Sequence, residues 1–371
     1  MKKGSRNGQN DTIMKKINAL AVKIVLLLLT GSILFEGCKP AGRNVDNEDL
    51  AEKISVLVSQ YHEKGTFEGT ILVADSSGVI FKGAYGLANR ERNIPLTIES
   101  QFYLASVSKQ FTAAAILMLV QRGDIELDDR IHTNLPELPE IYQEITFRNL
   151  LNHTSGIPDY YNFAQLFPGF TNSDVLKSLT TVEELDFDPG TQYRYSNSGY
   201  VLLSTLVDRI TGSSFANFLK ENALQKAGLE NTVIYDQYAD EPEYRVRGYG
   251  SGGQLTDYTF RTTGGGGIFS NVEDLYKWHQ TLSSYSLIKK DIMNLAYQPA
   301  TLKNSDIEYY GFGWFIDPDD PAHVMHDGNL EGFRTLFDRQ LDTGAVIVLL
   351  SNNSSEHLDQ LTRKIRKLLS S

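Results

Sequence analysis

The spacing of hydrophobic and polar positions changes several times along the chain, and each change outlines an element. Residues 49–64 place Leu50, Ile54, Val56, Leu57, Val58 and Tyr61 at helical spacing before Gly65, which predicts an amphipathic helix with a glycine stop. Apolar and β-branched runs at 67–75 and 79–85 flank Ser77-Gly78, which predicts a β-hairpin. Residues 101–120 open on small and polar side chains and become Ala-rich and apolar from Phe111, ending at Gly123. That stretch reads as a buried helix. Residues 146–156 predict a short helix stopped by Gly156 and Pro158, and residues 200–210 a longer one closed at Gly212. Residues 235–263 carry many Gly, Tyr and Asp and read as loop, and the four glycines 264–267 are too permissive for regular structure. Residues 272–282 return to helical spacing. Residues 309–316, 322–325, 332–340 and 345–351 read as successive strands, and 358–369 as a closing amphipathic helix. Strands at both ends and helices between them predict an α+β fold. Both chain ends build one antiparallel sheet flanked by helices, with a mainly helical lobe, about 124–263, inserted between them.

Composition narrows this picture little. The chain has 371 residues, 41% of them hydrophobic and 22% charged, an ordinary globular balance. A net charge of −11 without a basic stripe argues against a nucleic-acid partner. The single cysteine, Cys38, excludes an intramolecular disulfide. Its surroundings say more. Lys15 and Lys16 precede an apolar stretch at 20–35, broken by Lys23, Thr30, Gly31 and Ser32, and Gly37 stands directly before Cys38. A basic start, a short apolar run and a small residue make a signal-peptide pattern, and the run is short for a spanning helix. The Gly37-Cys38 ending resembles a bacterial lipoprotein signal, although Phe35 and Glu36 stand where Leu and a small residue are usual, and Met14 begins a more typical leader than Met1. The alternatives are an uncleaved anchor or an ordinary signal cleaved nearby. The lipoprotein resemblance implies lipidation of Cys38, membrane attachment through the N-terminus and a place at the bacterial cell envelope. The expected organisation is a signal at 1–38, a polar tether at 39–47 and one domain at 48–371.

The candidate chemistry lies at the start of the Ala-rich stretch. Ser106 and Lys109 are three residues apart and share one helical face. Burial disfavours a charged lysine, and a neutral Lys109 can accept the Ser106 proton as the oxygen attacks a carbonyl. Ser-x-x-Lys alone is weak, because chance supplies about one in a chain of this size. Ser286-Leu-Ile-Lys289 is such a decoy, without the apolar run that follows. His153 ends a helix beside Thr and Ser and reads as a cap or buried hydrogen-bond partner, while Asp128 and Asp129 read as surface or capping residues. No cofactor is implied. The chain lacks His-Glu-x-x-His, its seven histidines have no metal-ligand spacing, and the glycine run lacks the Gly-Lys-Ser/Thr ending of a phosphate loop. No Gly-x-Ser-x-Gly elbow lies between a strand and a helix.

Ser106-Val-Ser-Lys109, Leu150-Leu-Asn-His-Thr-Ser-Gly156, Pro189-Gly-Thr, Tyr195-Ser-Asn197 and His326-Asp-Gly328 follow one another along the chain. In that order they resemble the serine β-lactamase and DD-peptidase superfamily, in the branch of class C β-lactamases, D-stereospecific peptidases and esterases. The resemblance runs from about Phe67 to Asn352. It implies a β-lactamase/transpeptidase-like fold, Ser106 as acylated nucleophile, Lys109 as its proton partner and Tyr195 as general acid/base. It also implies that Asn197 hydrogen-bonds Lys109 and substrate, that His326 and Gly328 of the third motif lie against substrate, with Gly328 allowing its close backbone approach, and that the N–H groups of Ser106 and Asn329 make the oxyanion hole. The third motif departs from the usual Lys-Thr/Ser-Gly. His326 replaces the lysine and Asp327 the hydroxyl residue, which bears against a substrate carboxylate at that position and hence against β-lactam turnover. Either Asp327 points away along its strand or the substrate has no carboxylate there. The expected substrate is a small ester or amide, D-amino-acid peptides included. The alternatives are a β-lactam or D-Ala-D-Ala peptide, or a non-catalytic receptor for muropeptides or β-lactams.

Overall fold

The computed structural model describes residues 45–330, 332–354 and 358–370, with the side chains of 45 and 46 excepted. The expected signal, Cys38 and most of the tether lie outside the described residues. Asp46–Ser371 forms one compact unit.

Six strands make the main sheet: β1 (Gly69–Asp75), β2 (Gly78–Tyr85), β3 (Phe315–Ile316), β4 (His323–Leu330), β5 (Phe333–Gln340) and β6 (Ala345–Ser351). Their order is β3-β4-β5-β6-β1-β2, so strands from the two chain ends meet where β6 pairs antiparallel with β1. Alternation along each strand sends one set of side chains to each face. Ile71, Val73, Leu336, Ile347 and Leu349 pack with Ile54, Val58, Leu361 and Ile365 of the terminal helices α1 (Val45–Glu63) and α6 (Leu358–Leu369). Leu72, Ala74, Phe337, Val346 and Val348 face the other way and join the larger core.

That core is built around α2 (Lys109–Arg122), in which residues 109–119 are all buried. An all-round apolar helix is stable only inside a protein, and α2 packs on the lobe helix at residues 197–211 while its Phe111 stacks on Trp278. It ends as expected at Gly123, in the left-handed region at φ 77°, whose N–H caps Leu119 and Val120. The lobe contains α3 (Phe147–Leu151), opened by a capping box between Thr146 and Asn149, and α4 (Asn197–Thr211). Residues 124–263 give no strand to the main sheet. After them come a short strand at Ile268–Ser270 and α5 (Val272–Ser283).

Several boundaries differ from the expected ones, two of them in the sheet beside the third motif. The run at 309–316 yields only β3, because the Gly311 N–H turns back onto the Trp314 carbonyl and closes a tight turn instead of continuing the strand. In compensation β4 runs five residues past Met325, through the whole His326-Asp-Gly segment.

Candidate active site

Ser106 does not sit on α2 itself but in the 3₁₀ turn Ala105–Ser108 that leads into it. In a 3₁₀ turn residues i and i+3 eclipse one another, which brings the Ser106 hydroxyl over Lys109. Ala105 has φ 48°, a sparsely populated conformation for a residue with a Cβ, and it holds the turn in the pose that presents Ser106. The turn is braced from the sheet. Thr335 Oγ1 on β5 donates to the Leu104 carbonyl at 2.7 Å. Gly328 on β4 passes so close that a Cβ there would lie 2.4 Å from the Leu104 oxygen and 3.1 Å from the Ala105 Cβ. Gly328, expected to let substrate approach, also lets the nucleophile turn approach the sheet.

The Lys109 ammonium position has three neighbours: Ser106 Oγ at 3.2 Å, Asn197 Oδ1 at 2.7 Å and the Gly265 carbonyl at 2.7 Å. The side chain is wholly buried, and the loss of hydration brings its pKa down to about 7, against the smaller opposing pull of the Asp159 and Asp327 carboxylates. In its neutral form the amine has two N–H groups and one lone pair. The Asn197 and Gly265 oxygens can only accept, so they take the two N–H groups and leave the lone pair directed at Ser106. Gly265 was missed from sequence, where the glycine run offered no polar side chain to notice. The run is tightly packed: Thr112 Oγ1 donates to the Gly264 carbonyl at 2.8 Å, and Gly264, at φ 91°, would put a Cβ 2.1 Å from the Tyr200 carbonyl.

Tyr195 lies over the same lysine, with Lys109 Nζ 4.7 Å from its ring centre. Burial holds the phenol pKa well above its usual value, partly countered by the nearby Ser106 hydroxyl, although no hydrogen bond of good geometry reaches the Tyr195 oxygen. The resting group is therefore a phenol and not a phenolate. His153 packs its ring 4.2 Å from that of Tyr195, and its Nδ1 accepts the Ser196 N–H at 3.2 Å. It is the buried hydrogen-bond partner expected of it, kept neutral by burial and by Lys109.

His326 is buried behind Tyr195 and lies outside the lining of the cleft that holds Ser106. Its Nδ1 lies 2.6 Å from the Asp327 carbonyl, which can only accept, and its Nε2 lies 3.0 Å from the Tyr310 hydroxyl. Burial and Lys109 lower its pKa to about 3, so the ring is neutral: Nδ1–H donates to the carbonyl and Nε2 accepts from Tyr310. Both nitrogens are occupied, and neither is offered to a substrate carboxylate. Asp327 settles one choice left open by the sequence. It is exposed and pairs across the ladder with Leu336, whose side chain joins the core beneath the terminal helices, so Asp327 points to the face away from Ser106.

The cleft over Ser106 is small, about 50 Å³, and is lined by Tyr103, Tyr160, Tyr161, Asn197, Asn329 and Leu330 together with the 265–266 backbone. Asn329 thus borders the nucleophile, as the resemblance implies for an oxyanion donor. A far roomier cleft of about 1040 Å³, between residues 214–225 and 236–243, holds none of the expected site residues. Among the described residues, the decoy Ser286 hydroxyl is bonded to Ser284 Oγ and the Thr281 carbonyl on an exposed turn and not to Lys289. Asp128 pairs with Arg148 at 2.7 and 2.9 Å, as a surface residue would.

A sheet made from both chain ends, with terminal helices on one face and α5 on the other, a helical lobe between its two sets of strands in the chain, and a Ser-x-x-Lys turn packed on β4 and β5, defines the β-lactamase and penicillin-binding-protein fold. The Beta-lactamase family model matches residues 54–370, and the chain belongs to that family. It is 31% identical over 337 residues to penicillin-binding protein 4* of Bacillus subtilis (strain 168), covering 83% of this chain and 73% of that one. Among solved structures it superposes on D-amino acid amidase from Ochrobactrum anthropi SV3 complexed with L-phenylalanine amide, with a TM-score of 0.74, 21% identity and coverage of 87% and 99%. A class C β-lactamase gives the same TM-score at 19% identity, with coverage of 89% and 98%.

Proposed function

We propose that the protein is a serine acyl hydrolase that cleaves an ester or amide, D-amino-acid peptides included, through an acyl intermediate on Ser106. The observation that carries this reading is the Lys109 environment: a wholly buried amine 2.7 Å from two oxygens that can only accept and 3.2 Å from the Ser106 hydroxyl, where burial favours the neutral form and leaves its lone pair for that hydroxyl. Neutral Lys109 takes the Ser106 proton as Oγ attacks the carbonyl carbon. The negative oxygen that forms is held by the N–H groups of Ser106 and Asn329. The Tyr195 phenol, stacked over Lys109 and close to the Ser106 hydroxyl, passes a proton to the departing alkoxide or amine. Water then attacks the acyl–Ser106 ester and the same groups run in reverse.

The lining favours a substrate that is uncharged next to the scissile bond. Among the described residues that line the cleft none is Lys or Arg, and the neutral His326 replaces the cation that would hold a carboxylate. The B. subtilis relative, itself a penicillin-binding protein, favours a second reading, a β-lactamase or D-Ala-D-Ala carboxypeptidase. In either case the Gly37-Cys38 signal supports a lipid-anchored enzyme of the cell envelope. The purified chain and its Ser106→Ala variant are to be compared on a p-nitrophenyl short-chain ester, nitrocefin and a D-amino-acid amide. Ester or amide turnover lost in the variant supports the proposal. Nitrocefin turnover promotes the second reading, and turnover of none of the three favours a non-catalytic receptor.

A further inference from the structure

Nothing in the motif pattern draws attention to Asp159, three residues past Gly156, yet it touches the site at its most sensitive point. One carboxylate oxygen, Oδ2, accepts both the backbone N–H of Asn197 and its side-chain Nδ2–H, each at 2.8 Å. The other, Oδ1, accepts the Tyr161 N–H at 3.1 Å and caps the turn Tyr160–Asn162, two of whose tyrosines line the cleft. Ser196, at the N-cap position of α4, makes no side-chain cap of its own. Asp159 supplies that cap from another segment, and a carboxylate is the charge that a helix N-terminus favours.

We infer that Asp159 is a positioning residue of the acylation site: by holding Asn197 Nδ2 it turns the carboxamide with its oxygen, not its nitrogen, toward Lys109. This rests on the acyl–Ser106 reading above. An amide can be flipped end for end with little change of shape, and only its partners fix which end faces where. With Oδ1 toward Lys109, the amine gives an N–H to Asn197 and keeps its lone pair for Ser106. With Nδ2 there instead, the lone pair would accept from Asn197 and Ser106 would lose its base. Through two hydrogen bonds and one amide the carboxylate also lies no more than about 8 Å from Lys109, close enough to favour the protonated amine. Among the other groups facing Lys109, His153 on the lobe and His326 on β4 are neutral and Tyr195 and Tyr200 are phenols, while Asp327, on the far face of the sheet, adds a smaller pull of the same sign and makes no hydrogen bond to Asn197.

Asp159→Asn and Asp159→Ala separate the two roles. The asparagine keeps an oxygen for Asn197 but removes the charge; the alanine removes both. The probe is a fluorophosphonate, with the rate of Ser106 labelling followed by mass spectrometry from pH 5.5 to 9 in the whole chain, beside Asn197→Ala and Ser106→Ala. The alanine variant is expected to label at least about tenfold more slowly at the alkaline plateau. The double variant Asp159→Ala/Asn197→Ala should be no slower than Asn197→Ala alone, since both act through one carboxamide. The asparagine variant should keep most of its plateau rate while its acid limb moves about one unit to lower pH. An alanine variant that labels at the wild-type rate, or a double variant in which the two losses multiply, overturns the inference, provided thermal melts show each variant folded. NMR titration of ¹⁵Nζ-lysine needs no turnover. Should wild type fail to label at Ser106, the proposed reaction falls and that titration alone decides Asp159: a lower Lys109 pKa in Asp159→Asn upholds its reach to the amine, and an unchanged one overturns it.

Discussion

Replacing Lys109 by Met should change how stability depends on pH, in a direction and by an amount that the burial of this one amine dictates. Lys109 is wholly buried and its pKa falls from 10.5 to about 7 on folding. Below pH 7 the amine is charged in both states, and the folded chain bears the full cost of holding that charge inside. At roughly 1.4 kcal/mol for each pH unit between the two values, the cost is about 5 kcal/mol. Between pH 7 and 10.5 the unfolded chain binds a proton that the folded chain has released, so stability rises with pH; above 10.5 the cost is gone. Integrated from pH 7 to 9, the gain is about 2 kcal/mol. Methionine fills similar space without titrating, and every other ionisable group is common to both proteins. The stability of wild type minus that of Lys109→Met should therefore climb by about 2 kcal/mol over that interval, whatever the variant loses by leaving Asn197 and Gly265 without their donor. With about 320 residues unfolding at roughly 2.1 cal/mol/K each, this is a change of about 3 °C in the difference between the two melting temperatures. The assay is a pair of calorimetric melts at pH 7, 8 and 9. A difference that stays flat would mean an ordinary lysine pKa, and the reasoning from burial to a neutral base would fail.

Other perturbations reach the remaining parts of the site. Gly328→Ala would drive a methyl into the Leu104 carbonyl and Thr335 Oγ1, 2.4 and 2.3 Å away, and should cost about 1–3 kcal/mol of stability while displacing the Ser106 turn. Ester turnover should drop at least tenfold in that variant, and an unchanged rate would separate the turn from the β4 backbone. Tyr195→Phe keeps the ring on Lys109 and His153 but removes the proton passed to the leaving group. Turnover of an amide should fall by about a hundredfold or more and that of a p-nitrophenyl ester by much less, because p-nitrophenolate leaves without a proton; equal losses would deny the tyrosine that role. Cys38→Ala in cells should move the protein from the membrane to the soluble fraction, and a variant still membrane-bound would remove the lipid anchor.

Elements with a strong period were legible in the chain, and contacts that depend on the backbone were not. The Ala-rich run after Ser106 could be nothing but a buried helix, and Gly123 and Gly212 marked helix ends that the structure places in the left-handed region. The sheet built from both termini followed from where the strand-like runs fell. Spacing alone brought Ser106 and Lys109 together, and motif order added Tyr195 and Asn197, which the fold places around the same amine. Spacing could not show that Ser106 precedes the helix in a 3₁₀ turn, since that depends on the backbone of Ala105. Gly265 contributes a carbonyl, a group every residue carries, so no sequence pattern singles it out. Asp159 acts through a hydrogen bond to a residue 38 positions away, and a lone carboxylate after Pro158 reads as an ordinary turn residue. His326 stands in a motif whose place implied substrate, and what the pattern could not show is that Tyr310, from the interrupted run at 309–316, occupies its Nε2.

The most direct test of the account is peptide mass mapping of the whole chain after reaction with a fluorophosphonate at pH 6 and pH 8. Attack by a Ser106 hydroxyl whose base has pKa about 7 predicts a single adduct on Ser106, formed about tenfold faster at pH 8 than at pH 6. An adduct on another residue, or a Ser106 rate indifferent to pH across that range, would contradict it.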